Sequence, residues 1–186
     1  MKAAKGKELV KKEVYEKVCW MLQAVNRQPL AKKLFSRGTA EQIFTATEPT
    51  TGVNCKIRTD WVTPDNIIVD LKSALDASCV LDEDGKTTSS IYNGFPKSIF
   101  KFRYDVQNAF YEDIFSYATG KKPKAFVFVA VEKKPPFECG LFYLDIEDIN
   151  AARQKYLDNT ATYKKCKETG IWGGYPKEII KVKSIQ

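Results

Sequence analysis

Two charged side chains interrupt an apolar run at Ile67-Ile68-Val69-Asp70-Leu71-Lys72. Side chains alternate faces along a strand, so Asp70 and Lys72 share one, with α-carbons about 6.6 Å apart at a rise of roughly 3.3 Å per residue. Leu71 points the other way, into the core with Val69. A carboxylate and an ammonium on a buried strand cost free energy unless they are paired or hold a metal. The plain reading is an Asp–Lys pair at a strand end. The same tripeptide pattern recurs at Asp84-Gly85-Lys86, in a turn, and at Glu132-Lys133-Lys134, at a strand exit before two prolines. Of the three, only Asp70 lies within a strand that follows another strand ending in a carboxylate. In Cys55-Lys56-Ile57-Arg58-Thr59-Asp60, alternation puts Lys56, Arg58 and Asp60 on one face, and a hairpin brings Asp60 beside Asp70. Two carboxylates make an oxygen-ligand site for Mg²⁺, with Mn²⁺ as the alternative, and the backbone carbonyl of Leu71 adds a ligand. Lys72 beside such a metal positions or activates an attacking water and stabilises charge developing on a phosphoryl group. Further along, Tyr104, Gln107 and Tyr111 fall on one helical face, where a Gln–Tyr pair orients water or phosphate or is ordinary surface.

The elements that position these groups are readable in outline. Glu8–Ala24 is a helix whose apolar stripe, Leu9, Val14, Val18, Met21 and Val25, needs a partner surface. Pro29 starts a short helix through Phe35, which Gly38 ends. Strands follow at Glu41–Thr47, Val53–Trp61 and Ile67–Ser73. Their short connections make an antiparallel meander, and Glu48-Pro49-Thr50-Thr51-Gly52 is the first turn. Asp76 to Phe95 is irregular, with a tight turn at Asp84-Gly85. Pro96–Ala118 is one long central helix stopped by Gly120. Ala125–Glu132 has no polar face and belongs in the middle of the sheet, covered on both sides. Pro135-Pro136 breaks it, Cys139–Leu144 returns as a strand, Ile146 to about Thr169 is a last long helix, and Ile179–Val182 is β-like. The fold class is α/β or α+β, a mixed sheet flanked by helices.

The composition narrows the chemistry. The chain has 186 residues, which suits a single domain over 1–186: an N-terminal helical part to residue 28, a catalytic sheet and central helix over 41–145, and a C-terminal helix and tail over 146–186. It contains no histidine, which removes Ser-His-Asp and Cys-His hydrolases, histidine bases and histidine metal ligands together. The five cysteines, at 19, 55, 79, 139 and 166, have no C-x-x-C spacing, so neither a zinc site nor a disulfide framework is expected. Cys55 and Cys139 read as buried reduced thiols. A net charge of +7 favours a polyanionic partner through counterion release, although a solvated basic surface gives the same count. Lys97, Lys101, Arg103, Lys121, Lys122 and Lys124 bracket the central helix, and with Arg58 and Tyr104 they are the candidate contacts for such a polyanion. There is no signal-peptide h-region or membrane-length apolar run, so the chain reads as cytoplasmic with no membrane partner.

Taken in order, three stretches resemble a known family. They are Gly52 to Trp61, then Ile68-Val69-Asp70-Leu71-Lys72-Ser73, then Tyr104-Asp105-Val106-Gln107 through Tyr111. Together with Phe126 to Lys133 and the Cys166-to-Trp172 region, they are similar to the RecE-type exonuclease domain (exodeoxyribonuclease VIII) of the PD-(D/E)xK nuclease superfamily. The resemblance runs from Pro29 to Lys177. It implies a restriction-endonuclease-like core with Mg²⁺-dependent phosphodiester hydrolysis. It further implies 5′-to-3′ digestion of linear double-stranded DNA, leaving 3′ single-stranded tails for recombination. It assigns catalysis to Asp60, Asp70 and Lys72, adds Glu41 as the family's helix-end acid and a further metal ligand, and matches Gln107 and Tyr111 to a Q-x-x-x-Y motif. A homo-oligomeric ring around DNA and a single-strand annealing protein as partner follow from the same resemblance. Relatives carry a histidine on an N-terminal segment near the site. A chain without histidine is expected to be a shortened phage or prophage version, or a fragment, with a more open metal site. The alternatives are an endonuclease or flap-cutting nuclease on the same core, and a non-catalytic DNA-binding or assembly module with a vestigial site. The intact Asp60–Asp70–Lys72 set speaks against the last.

Overall fold

A computed structural model describes residues 9–79, 83, 94–175 and 178–181. The elements run α1 (Lys12–Arg27), α2 (Pro29–Phe35), β1 (Thr39–Thr47), β2 (Asn54–Val62), β3 (Ile67–Ala74), α3 (Gly94–Lys101), α4 (Tyr104–Thr119), β4 (Ala125–Glu132), β5 (Cys139–Phe142) and α5 (Ile146–Thr169). The five strands lie in the order β1-β2-β3-β4-β5. Only the β3–β4 pair is parallel, because α3 and α4 carry the chain back across the sheet between them.

β4 shows why the layers form. Phe126, Phe128 and Ala130 point to one face, and Val129 and Val131 to the other, all buried. The first face meets Phe95 and Ile99 of α3 and Ile114 and Phe115 of α4, with Ile57, Val62 and Ile68 beside them. The second meets Ala24, Val25 and Ala31 from α1 and α2, with Val69 of β3. α5 packs outside α4 through Ala109, Ile149, Ala152 and Tyr156. A strand apolar on both sides thus sets a helix layer on each face of the sheet, as the sequence requires.

Several elements differ from expectation. The single central helix is two, α3 and α4, separated at Phe102-Arg103, where Arg103 adopts a left-handed φ of 60°. No glycine or proline marks this break, so periodicity runs across it unseen. α1 begins at Lys12 and extends to Arg27. Its stripe is only half used: Val25 is buried and Met21 packs beside it, whereas Leu9, Val14, Val18 and Leu22 are exposed. Leu71 is also exposed, not buried with Val69. Ile179 to Lys181 have no regular structure. The expected turn at Asp84-Gly85 and the residue Val182 lie outside the described residues. No helix among the described residues is long and apolar enough to cross a membrane.

Candidate active site at the fork between two strands

β2 and β3 pair at Trp61↔Val69 and Val62↔Ile68. One step further, that register sets Asp60 opposite Asp70. The next β3 amide, Leu71 N–H, donates to the Asp60 carboxylate (Oδ2, 2.8 Å) instead of to the β2 backbone. The ladder ends there and the strands fork. Alternation along β2 slips at the same place: Cys55 and Ile57 share a core cluster with Val62, while Trp61 joins the opposite one. The even spacing that placed Asp60 on the face of Lys56 and Arg58 therefore does not extend through Asp60, and the slip is what brings it to Asp70. The fork also explains Leu71, whose flank β2 no longer covers.

Asp70 is buried, 3% exposed, on the α4 side of the sheet. Lys72 shares that face as predicted, its Nζ 2.5 Å from Asp70 Oδ2. Gln107, in the second turn of α4, grips both groups: its Nε2 donates to Asp70 Oδ1 (2.6 Å), and its Oε1 accepts from Lys72 Nζ (3.1 Å). Burial pushes the Asp70 carboxyl above its ordinary range. The Lys72 ammonium and Gln107 pull it back, and the Asp60 charge adds to the rise. One turn on, Tyr111 lies beside the same carboxylates. Burial first, then the charges of Asp70 and Asp60, push its phenol up, so it stays a neutral donor near Gln107 and the Arg58 backbone.

The remaining predicted residues are less concentrated. Glu41 is not at a helix end but within β1, opposite Asp60 in register, with φ 55°. Its carboxylate pairs with Arg58 (3.0 Å), and both side chains are exposed. Among the described residues no three His, Cys, Asp or Glu side chains come together as a metal cluster. In this arrangement the Glu41 carboxylate faces Arg58. Tyr104 is half-buried and stacks on Phe95, its ring face 4.6 Å from Lys72 Nζ. The basic residues divide between the two ends of α4, whose 16 residues span about 24 Å. Lys97, Lys101 and Arg103 precede it. Lys121, Lys122 and Lys124 follow it, with Lys124 paired to Asp65 at 3.3 Å. All five cysteines are free thiols; Cys55 is buried, whereas Cys139 is half-buried, its thiol pushed up to about 11 by desolvation.

Sequence reading missed the side chains that fix α4 against α5. Buried Asp105 meets Lys155 (2.7 Å), and Asp113 takes two hydrogen bonds from Arg153 and one from the Tyr156 hydroxyl. These partners lie some forty to fifty residues apart, so no local spacing announces them.

The donor set fits a hard divalent cation. Asp70 is a buried carboxylate whose Oδ2 is met, among the described residues, by the Lys72 ammonium alone. Asp60 presents a second carboxylate, and Leu71 lies between Asp70 and Lys72 with a backbone carbonyl. Two carboxylates with room for water and phosphate oxygens are what Mg²⁺ takes.

Two solved structures and one family model are similar to this chain. Among solved structures, a candidate exonuclease from Eubacterium rectale superposes with a TM-score of 0.62 at 19% identity, over 90% of this chain and 64% of that one. This chain thus spans less than two thirds of that protein. An alkaline exonuclease from Laribacter hongkongensis matches with a TM-score of 0.37 at 12% identity, over 89% of this chain and 77% of that one. A comparison with curated protein sequences found no match. The family model for a PDDEXK-like domain of unknown function (DUF3799) matches residues 1–183, and the chain belongs to that family of PDDEXK-like domains.

Proposed function

We propose that this chain is a metal-dependent DNA nuclease that hydrolyses phosphodiester bonds at the β2–β3 fork. One observation carries the reading: Asp60, Asp70 and Lys72, from two strands, meet where the ladder opens, and Gln107 holds two of them from α4. Asp60 and Asp70, with the Leu71 carbonyl, are the residues that would hold Mg²⁺ or Mn²⁺. When bound, such an ion neutralises phosphate charge and lowers the pKa of water. Lys72 presents an ammonium to the negative charge that builds on the phosphoryl oxygens. Gln107 keeps that ammonium and the Asp70 carboxylate in register, and Tyr111 offers a neutral hydroxyl beside them. Arg58, Lys97, Lys101 and Arg103 are the basic side chains proposed to meet the DNA backbone.

The more detailed reading is an exonuclease that digests linear duplex 5′ to 3′ to leave 3′ tails, working as a homo-oligomeric ring with a single-strand annealing partner. Its support is the sequence resemblance. The test is digestion of linear against circular duplex with Mg²⁺, using end-labelled strands. Loss of linear DNA alone, from the labelled 5′ end, is expected. Cutting of circular duplex would make the enzyme an endonuclease. No cleavage with Mg²⁺ or Mn²⁺ would refute the nuclease reading.

A further inference from the structure

The geometry points to Tyr104 as the positioning residue for Lys72, an inference that rests on the nuclease reading for its catalytic consequence. An ammonium on a four-carbon stem has more freedom than a reaction centre tolerates. Here three groups remove it. Asp70 lies 2.5 Å from Lys72 Nζ, Gln107 Oε1 lies 3.1 Å away, and the Tyr104 ring centroid is 4.6 Å away. The first two fix the direction of the charge. The ring closes a further side with its electron-rich face, which attracts a cation within about 6 Å. The Lys72 side chain is only 18% exposed, so water screens this attraction little.

Tyr104 can hold its place because it is itself held. It stacks on Phe95 at 6.2 Å with the planes 29° apart, and its ring also meets Phe128 and Phe102. Phe95 and Phe128 are core residues, 1% and 0% exposed. The ring is therefore a wall fixed to the core. The helix start at Tyr104, after the left-handed Arg103, places it within one turn of Gln107, so the two grips on Lys72 come from the same face of α4. A side chain that only contacts DNA would not need this arrangement.

The experiment compares Tyr104→Phe with the protein in which Tyr104 is replaced by pentafluorophenylalanine, whose ring keeps its shape but reverses the sign of its quadrupole. Both keep the aromatic packing, and melting temperatures confirm it. With Mg²⁺ and linear duplex, Tyr104→Phe is the reference against which the fluorinated ring is read. The fluorinated ring should lower kcat by about 5- to 30-fold, the rate equivalent of one partly desolvated cation–π contact, with KM unchanged. Equal kcat for the two rings would reduce Tyr104 to packing. A change confined to KM would make it a DNA contact. An activity-independent reading comes from NMR of the metal-free protein. The Lys72 ε-methylene protons, assigned by their loss in Lys72→Arg, should be shifted upfield by the ring in wild type and Tyr104→Phe, and released in Tyr104→Leu. Absence of that shift overturns the contact. The shift present in a protein that cleaves no DNA would refute the nuclease reading while leaving the placement of Lys72 intact.

Discussion

Asp60 offers a charge toward Asp70 and an oxygen toward the Leu71 amide, and two substitutions separate these roles. Asp60→Asn removes the charge and keeps a carbonyl to accept from Leu71 N–H. Asp60→Ala removes both. The hydrogen bond at 2.8 Å has a charged acceptor, a class with a net contribution of about 1.5–3 kcal/mol. Asp60 is half-exposed, so water partly replaces the bond, and about 1 kcal/mol is the expected difference between the variants. In a chain of 186 residues that is a melting shift of about 2–4 °C. Both variants also lose the repulsion between Asp60 and buried Asp70 in metal-free protein, a gain that cancels when they are compared with each other. With EDTA present, Asp60→Asn should therefore melt at or above wild type, and Asp60→Ala below Asp60→Asn. With Mg²⁺ present, neither should cleave DNA, and neither should gain thermal stability from the metal as wild type does. Equal melting of the two variants would show that the Leu71 hydrogen bond does not hold the fork. Cleavage by Asp60→Asn at the wild-type rate would remove Asp60 from the metal site.

Lys72→Ala should lower kcat by at least about 100-fold, the scale of one lost electrostatic or proton-transfer contributor, with DNA affinity little changed in a filter-binding assay. Glu48→Gln should cost about 1–3 kcal/mol in urea unfolding at neutral pH. The buried carboxylate accepts from Thr50 N, Thr51 N and Thr51 Oγ1, and an amide leaves at least one of these donors unpaired. Burial raises the Glu48 pKa, but the combined hydrogen bonds outweigh it and hold the carboxyl low, so its stabilisation is present above pH 4.5 and is lost as pH falls through the folded value; the gap between wild type and Glu48→Gln should close in that acid range. Glu112 is the opposite case, pushed up by burial against the pull of Asn108 and Arg153. Its contribution is full below pH 4.5 and is lost as pH rises through the folded value, so Glu112→Gln, which can still accept from Asn108, should raise the urea midpoint at neutral pH and not at pH 4.

The placement of the candidate site was legible where it depended on strand alternation alone, and it was lost where a neighbouring strand intervened. Asp70 and Lys72 share a face because they are two residues apart on a strand that stays regular. β4 and α5 match the expected spans because an unbroken apolar run and a long helical pattern have no local competitor. Strand alternation accounts for only part of the approach of Asp60 to Asp70. A hairpin does join them, but the face assignment through Lys56 and Arg58 ignored the slip between Ile57 and Val62, which follows from the ladder and not from the sequence period. Leu71 has the composition of a core residue and is exposed because β2 leaves its side. Glu41 matched a motif by residue type, yet it sits in β1 with its carboxylate turned to Arg58. Type and order carried that assignment, and neither specifies where a side chain ends.

The break at Phe102-Arg103 shows how one unannounced backbone step organises the site. A helix continuous from Pro96 would fix the direction of α4 by the packing of α3. Arg103 at φ 60° frees α4 to take its own axis. α3 then gives Phe95 and Ile99 to the core, while α4 lies along the fork. From its new start, Tyr104, Gln107 and Tyr111 recur at three- and four-residue steps and so form one stripe. Tyr104 faces the Lys72 ammonium, Gln107 spans Lys72 and Asp70, and Tyr111 lies beside Asp70, Asp60 and the Arg58 backbone. The stripe thus follows the fork from Lys72 to Arg58. Its polar members occupy the face where an amphipathic helix would otherwise turn apolar residues to the sheet, and the gap left by the end of the β2–β3 ladder gives them room. The Lys155–Asp105 and Arg153–Asp113 pairs tie the opposite side of α4 to α5, so the helix that aligns the site is braced away from it. Helical period, strand fork and bracing pairs together bring Asp70, Lys72 and Gln107 into direct contact, with Asp60 bonded to the Leu71 amide between Asp70 and Lys72.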